Sequence, residues 1–395
     1  MVKTPLSGMS IKSMKASMKS PTGPKSIKSP LGQIFSPSTM HFANKKEEAE
    51  MMGNKDFRYN VLEPNGIVIA ENHMSEGDWS RIAFSLGVPM NQEPKKNADV
   101  ARFAYRMRKR KQVSDIQTVE ALSSLLYTLS SPLALSQQET AEFYMDAVPC
   151  ADEFKNSIHR VPKPTPSVSI GYKRGAFDHI DDELQRGIIA NEQGYPVDLG
   201  RISQPARDHF WPFLVVEVAE HSIMAAKHAC AVSASSCNNA VRLLAHAAKS
   251  DKGIASNPFS AGTNTTQHCF SLAVCGKIAS LNVHEPDAKG RHVLRTITTY
   301  SLDDDDEVAA LTDRLRSIMV WGRYCRLEEI CDKLEALNRK VNGGLPPNHL
   351  AHYQDDFDPA ILKTLTVRLS KNKKKKAVMH ASVPGWMRSG GILTA

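Results

Sequence analysis

A single carboxylate closes the most apolar segment of the chain. Trp211-Pro212-Phe213-Leu214-Val215-Val216-Glu217-Val218-Ala219 is short, rich in β-branched and aromatic residues, and carries a proline near its start, so it predicts a buried strand over Phe213–Val218. A carboxylate buried at the end of such a strand is costly unless it pairs with a cation such as an arginine or holds a metal ion. Residues two apart share one face of a strand, and the partner of Glu217 in that pattern is Ala219. A second segment, Pro164-Thr165-Pro166-Ser167-Val168-Ser169-Ile170-Gly171-Tyr172, predicts a strand through Val168 and Ile170 with a turn at Gly171. Near these two segments lie other groups able to ligate or to carry charge: Asp178, Asp181 and Asp182, and Lys227 on the helical stretch that follows Glu217. His221, His228 and His246, read as lying on that same helix, lack the i, i+4 spacing of a helical metal pair and read as surface or core residues.

The elements that position these groups follow from periodicity and capping. Asp99–Lys111 predicts a helix with a basic end, Arg106, Arg108, Lys109, Arg110 and Lys111. That cluster suits the negative end of a helix dipole, a nuclear-import address or a nucleic-acid patch. Asp115–Ser130 has helical apolar spacing, and Ser136–Phe154 opens on a Ser136/Glu139 pair that reads as a capping box. Asp178–His209 reads as mixed loop and short helix. Ser222–Lys249 reads as an Ala-rich helix, and residues 250–266 as a polar loop. Cys269–Val274, a turn near Gly276 and Lys277–His284 read as a hairpin, and Arg291–Thr299 as a further strand. Asp303–Glu307 precedes a long helix running to Leu337, where acids suit the positive dipole end or, alternatively, a metal.

Composition sets the bounds. The 395 residues are 41% hydrophobic, enough for a sizeable core, and carry a formal charge of +8, which permits an acidic partner. No apolar run is long enough to span a membrane, and the N-terminus lacks a signal core. Seven cysteines without a CxxC pair argue for reduced thiols in an intracellular compartment. Residues 1–55 form a basic Ser/Pro/Lys-rich tail expected to be disordered, with Thr4-Pro5 and with Ser20, Ser29 and Ser36 each before a proline, candidates for proline-directed phosphorylation. Residues 56–342 read as one domain, helical to about residue 160 and sheet-forming from there. Residues 343–395 form a second basic tail holding Lys371–Lys376.

The order helix, strand, strand, helix, hairpin, strand, helix resembles the restriction-endonuclease-like fold, and more narrowly the fungal PD-(D/E)XK nuclease-like domain family. The blocks that carry the resemblance are Pro166-Ser167-Val168-Ser169-Ile170-Gly171-Tyr172 with Ala176-Phe177, the Pro212-Phe213-Leu214-Val215-Val216-Glu217 strand, Phe270-Ser271 and Val320-Trp321. The fold class it implies is α/β, a central mixed sheet flanked by helices, with an N-terminal helical extension. The resemblance also implies a Mg²⁺ site made by one acid from each of two neighbouring strands, with a lysine two residues past the second acid. Here Ser167 stands at the first acid's position and Ala219 at the lysine's, leaving Glu217. Lys227 as the displaced lysine and Asp178, Asp181 or Asp182 as the displaced acid are the candidates that could restore a site.

Three functions are carried forward. The first is a catalytically degenerate nuclease-like domain, without cofactor, that binds nucleic acid or a protein partner near Ser167, Glu217 and Ala219, with Lys227 and the Arg106–Lys111 cluster supplying positive charge. The second is an active Mg²⁺-dependent nuclease with relocated ligands. The third is a nuclear interaction protein regulated through its Ser-Pro tail. The expected location is the nucleus.

Overall fold

Seven strands hydrogen-bond into one mixed sheet in the computed structural model of the chain, which describes residues 51–85, 98–109, 114–154, 157, 159–191, 194–249 and 268–342. Short helical turns over Lys55–Asn65 lead into β1 (Ile67–Ile69). Helices α1 (Glu76–Ser85), α2 (Ala98–Lys109) and α3 (Asp115–Ser130) follow, then β2 (Leu135–Glu139) and β3 (Val168–Tyr172). Helix α4 (His179–Leu184), a two-stranded hairpin of β4 (Ile188–Ala190) and β5 (Pro196–Asp198), and α5 (Leu199–Ser203) intervene before β6 (Phe210–Val218). Helix α6 (Ile223–Ala248), strands β7 (Cys269–Cys275), β8 (Ile278–Pro286) and β9 (His292–Ser301), and helices α7 (Asp305–Trp321) and α8 (Leu327–Asn342) complete the domain.

The sheet order is β1-β9-β8-β7-β6-β3-β2. Strand β6 runs antiparallel to β3 and parallel to β7, so α6 is the crossover that parallel pairing requires. The α/β class, a central mixed sheet flanked by helices, is the one expected. Helix α6 lies along β6, β7 and β8 and also packs against α8. On the other face α3 meets β2, β3 and β6, α7 meets β9, and α2 bridges α3 and α7. Phe270 on β7 packs edge-on against Trp321 of α7, ring centroids 5.5 Å apart.

Local chemistry explains the boundaries. Ser114, Ser222 and Asp304 cap α3, α6 and α7 by accepting backbone N–H bonds, as their positions in the sequence suggest. The acids at 303–307 therefore serve the start of α7: Asp304 caps it and Asp303 pairs with Lys277 at 2.9 Å. Residues Gly322–Arg326 form a π-helical turn, so the expected single long helix is two helices, α7 and α8. Gly171 sits where Phe210 O would lie 2.5 Å from any added Cβ, beside the irregular register between Ile170 and Tyr172.

The expected helix over Ser136–Phe154 is absent. Pro132 ends α3 in a 3₁₀ turn, Ala134 takes φ 54°, and the chain re-enters as β2, the edge strand paired to β3. Ser136 and Glu139 are consequently strand residues: Ser136 Oγ lies 3.0 Å from His209 Nδ1, and Glu139 accepts from Ser123. Arg110, Lys111, the loop 250–266, the 343–395 tail with Lys371–Lys376, and Thr4, Ser20, Ser29 and Ser36 lie outside the described residues. All seven cysteines are unbonded, with Cys230, Cys237 and Cys269 buried. Among the described residues no helix is long and apolar enough to cross a membrane.

Candidate functional site

The antiparallel pairing of β3 and β6 places Val168 opposite Val216, so one step further Ser167 faces position 217 across the two strands. Ser167 and Glu217 are thus brought together. Ser167 Oγ accepts the Val218 N–H at 3.1 Å, which ties the hydroxyl to the β6 backbone. Strand β6 is interior to the sheet, however, and Glu217 is only 7% exposed. Helix α6 covers the face of β6 that carries Glu217. Ser233 on α6 donates to Glu217 Oε1 at 2.7 Å, and Ala273, the register partner of Glu217 on β7, brings no polar atom to it.

A band of buried polar side chains continues from Glu217 beneath α6. The Cys230 thiol is hydrogen-bonded to Ser271, and its pKa is held well above the usual value, first by burial and then by the Glu217 carboxylate. Ser271 Oγ lies 2.7 Å from His284 Nε2, and Asn282 Nδ2 reaches the same hydroxyl at 3.3 Å. Asn282 Oδ1 accepts from Ser280 at 3.1 Å and from Thr296 at 3.0 Å. Burial, followed by the neighbouring His292, pushes His284 down to about 3, so its ring is neutral at pH 7.

Lys227 terminates this band rather than serving Glu217. Its ammonium donates to Thr296 Oγ1 at 3.0 Å on β9, three strands away from β6, and burial lowers its pKa. The expected role as displaced catalytic lysine therefore has no support in its position. Ala219 is partly buried against a core cluster that includes Ala226 and Ala273.

Asp178 is an exposed helix cap, accepting the Asp181 N–H at 2.9 Å. It comes after Tyr172, whereas Ser167 is at the other end of β3, roughly 17 Å from Tyr172 for five extended residues. Asp182 is held by Arg174 and Arg186, and Asp181 belongs to the same short helix. None of the three acids is placed to complete a site with Glu217. The fully buried Arg326 does not serve it either. Its guanidinium donates to Trp211 O at 2.8 Å and Pro212 O at 3.3 Å, at the start of β6.

A Mg²⁺ ion asks for several hard oxygen ligands, more than one of them anionic in sites of this kind. Glu217 is engaged by Ser233, Ser167 by the backbone, and Ala219 offers nothing. Among the described residues no group of three or more His, Cys, Asp or Glu side chains converges as a metal site. The residues present do not fit the metal. Asp115, at the start of α3, is an acid that sequence reasoning did not single out; burial, then the Glu220 carboxylate, raises its pKa.

Of the histidines, His228 is core: it is buried, its Nδ1 lies 2.5 Å from Met52 O, and it packs against Phe57. His221 precedes α6 and is exposed beside Glu220. At the basic end of α2, Arg106 and Lys109 are exposed, while Arg108 is tied to Asp305 at 3.0 Å. Sequence reasoning missed Ser233, Cys230, Ser271, Asn282 and His284. A legible signal was present: Ser280, Asn282 and His284 alternate with Ala279, Leu281 and Val283, yet every one of these six is buried.

A family model described as Domain of unknown function (DUF7924) matches residues 102–334, a span that contains Ser167, Glu217, Lys227 and the band beneath α6. No curated protein and no solved structure matches the chain.

Proposed function

The chain belongs to the family of the domain of unknown function DUF7924, and from that premise we propose that it is a nuclease-fold protein without metal-dependent cleavage that binds nucleic acid. The observation that carries the reading is the Ser167–Glu217 juxtaposition on antiparallel β3 and β6, followed by α6 and by β7 parallel to β6. This is the arrangement that the resemblance to PD-(D/E)XK nucleases implies, with the acid consumed by Ser233 and the lysine position occupied by Ala219. The formal charge of +8 and the exposed Arg106 and Lys109 favour an anionic partner. Nuclear residence, with phosphorylation of Ser20, Ser29 and Ser36 weakening phosphate contacts, belongs to the same proposal.

Two assays on the full chain test it. Duplex DNA binding, followed by fluorescence anisotropy, should weaken linearly in log K against log salt, with a slope reduced by about 2 in the Arg106→Gln, Lys109→Gln variant if each contacts one phosphate. Supercoiled plasmid should remain intact with Mg²⁺ or Mn²⁺. Metal-dependent nicking that Glu217→Ala abolishes would establish an active nuclease instead. Absence of any DNA binding at low salt would favour a protein partner.

A further inference from the structure

A cleft of about 780 Å³ opens at the end of the sheet opposite Glu217. It lies between the β8–β9 turn, the β4–β5 hairpin and the C-terminal half of α6. Arg242, which lines it, is nine residues beyond Ser233 on α6, about 14 Å along the helix axis. Among the described residues that line the cleft, Arg160, Arg242, Lys289 and Arg291 are cationic and Asp146 is acidic. Arg201 already accompanies Asp146 at 3.4 Å, and Asp287 takes Arg291 at 2.8 Å. Arg160 and Lys289 are exposed, and among the described residues neither side chain has a carboxylate partner.

The cleft is built rather than incidental. Arg242 Nε and Nη2 both donate to Asn239 Oδ1, at 3.1 and 2.9 Å, and Asn239 in turn donates to Ala147 O at 3.0 Å. A guanidinium fixed in this way loses little freedom when it meets a ligand. His292, only 5% exposed, forms part of the wall, and its Nδ1 has no hydrogen-bond partner among the described residues. A buried polar atom left unpaired beside a cleft is the kind of group that a bound molecule or water satisfies. Tyr195 stands at the rim, 60% exposed, on a turn held by Tyr195 N to Asn191 Oδ1 at 2.8 Å. An exposed aromatic ring beside a cationic cleft is the pairing that receives a base and its phosphate. The volume is in the range of sites that enclose a small organic ligand.

We propose that this cleft binds a nucleoside phosphate, with the phosphate on Arg160, Arg242 and Lys289 and the base against Tyr195. The source is either a free nucleotide or the phosphorylated end of a single strand; the chemistry recognised is the same. The site stands apart from the nuclease-fold reading, because it uses neither Glu217 nor the basic end of α2.

Calorimetric titration of the full chain with AMP, with inorganic phosphate, and with a short oligothymidylate carrying or lacking a 5′-phosphate tests the assignment. AMP should bind saturably and at least about tenfold more tightly than inorganic phosphate, because base stacking adds to the phosphate contact. Tyr195→Ala should remove that tenfold and leave phosphate binding alone. The surface variant Arg160→Glu, Lys289→Glu, which touches no buried group, should weaken both ligands by about tenfold or more at low salt. A 5′-phosphate requirement in the oligonucleotide assigns the strand end as the source; binding of AMP alone assigns the free nucleotide. The assignment is overturned if AMP does not bind, if phosphate binds as tightly as AMP, or if the charge-reversed variant, folded by circular dichroism, binds unchanged. Duplex binding lost in the Arg106, Lys109 variant with AMP binding intact separates failure of one reading from failure of the other.

Discussion

If Glu217 is a structural acid, its partner on α6 must be energetically coupled to it. Ser233 Oγ donates to Glu217 Oε1 at 2.7 Å, with Ser233 1% and Glu217 7% exposed, so solvent cannot replace the bond when it is removed. A buried hydrogen bond to a charged acceptor contributes about 1.5–3 kcal/mol. Ser233→Ala should therefore lower unfolding free energy by about 2 kcal/mol at pH 7. Glu217→Gln keeps the volume and retains an acceptor, and should cost less, on the order of 1 kcal/mol. The double variant should cost less than the sum of the two, with an interaction energy of about 1 kcal/mol. Urea unfolding followed by tryptophan fluorescence suits the measurement, because Trp211 and Trp321 are both buried in this core. Repeating it with Mg²⁺ sharpens the test, since an ion present at about 100 times its Kd stabilises the folded state by about 2.7 kcal/mol. No such rise is expected. A null interaction energy, or a Mg²⁺-dependent rise in the urea midpoint that Glu217→Gln abolishes, would refute the structural role.

Three further outcomes follow from the buried groups. Burial holds His209 and His284 down to about 3, and burial with Arg242 nearby holds His292 down to about 4, whereas the unfolded chain protonates its histidines near pH 6.5. Their stabilising effect is therefore complete above about pH 6.5 and is lost on acidification, at up to about 1.4 kcal/mol per pH unit for each histidine. The urea midpoint should fall steeply between pH 6.5 and about 4, and a flat profile there would contradict their burial as neutral rings. Arg326→Met should cost about 2–4 kcal/mol in the same assay, because it orphans the carbonyls of Trp211 and Pro212; an unchanged midpoint would show that the guanidinium's desolvation had cancelled its hydrogen bonds. Gly171→Ala places a methyl group 2.5 Å from Phe210 O, which is backbone and cannot swing away, so a loss of about 1–3 kcal/mol is expected, and a neutral result would mean that the β3–β6 bulge yields.

The sheet's centre was legible because its strands are continuous apolar runs and its helices carry their caps in the sequence. Phe213–Val218, the Cys269–His284 hairpin and the Ser222 cap of α6 all lie where the residues place them. The periphery was not. Leu135-Ser136-Gln137-Gln138-Glu139 is polar enough to resemble a helix start, and it becomes a strand because its neighbour β3 offers an unpaired edge. Strand β1 is three residues long, too short for a periodic signal. At the candidate site, the adjacency of Ser167 and Glu217 and the burial of their strand were legible, but the partner that Glu217 finds on α6 was not. That partner depends on what α6 lays over the strand, and the Ala- and Ser-rich sequence of that helix fits a close approach without declaring which side chain meets the acid.

That covering helix changes what the polar residues of β8 mean. Alternation of Ser280, Asn282 and His284 with apolar neighbours reads as a solvent-facing strand, yet here both faces are buried and the polar face is paired internally. A slip of β8 by one residue would turn Leu281 and Val283 toward Ser271 and Thr296, stranding several buried hydrogen-bonding groups at once. The band from Glu217 to Lys227 therefore fixes strand register through the cost of every alternative. A site organised for that purpose satisfies its own donors and acceptors and keeps few for a substrate. Among the described residues, exposed cations placed to meet an anion include those at the end of α2 and in the cleft beside Arg242.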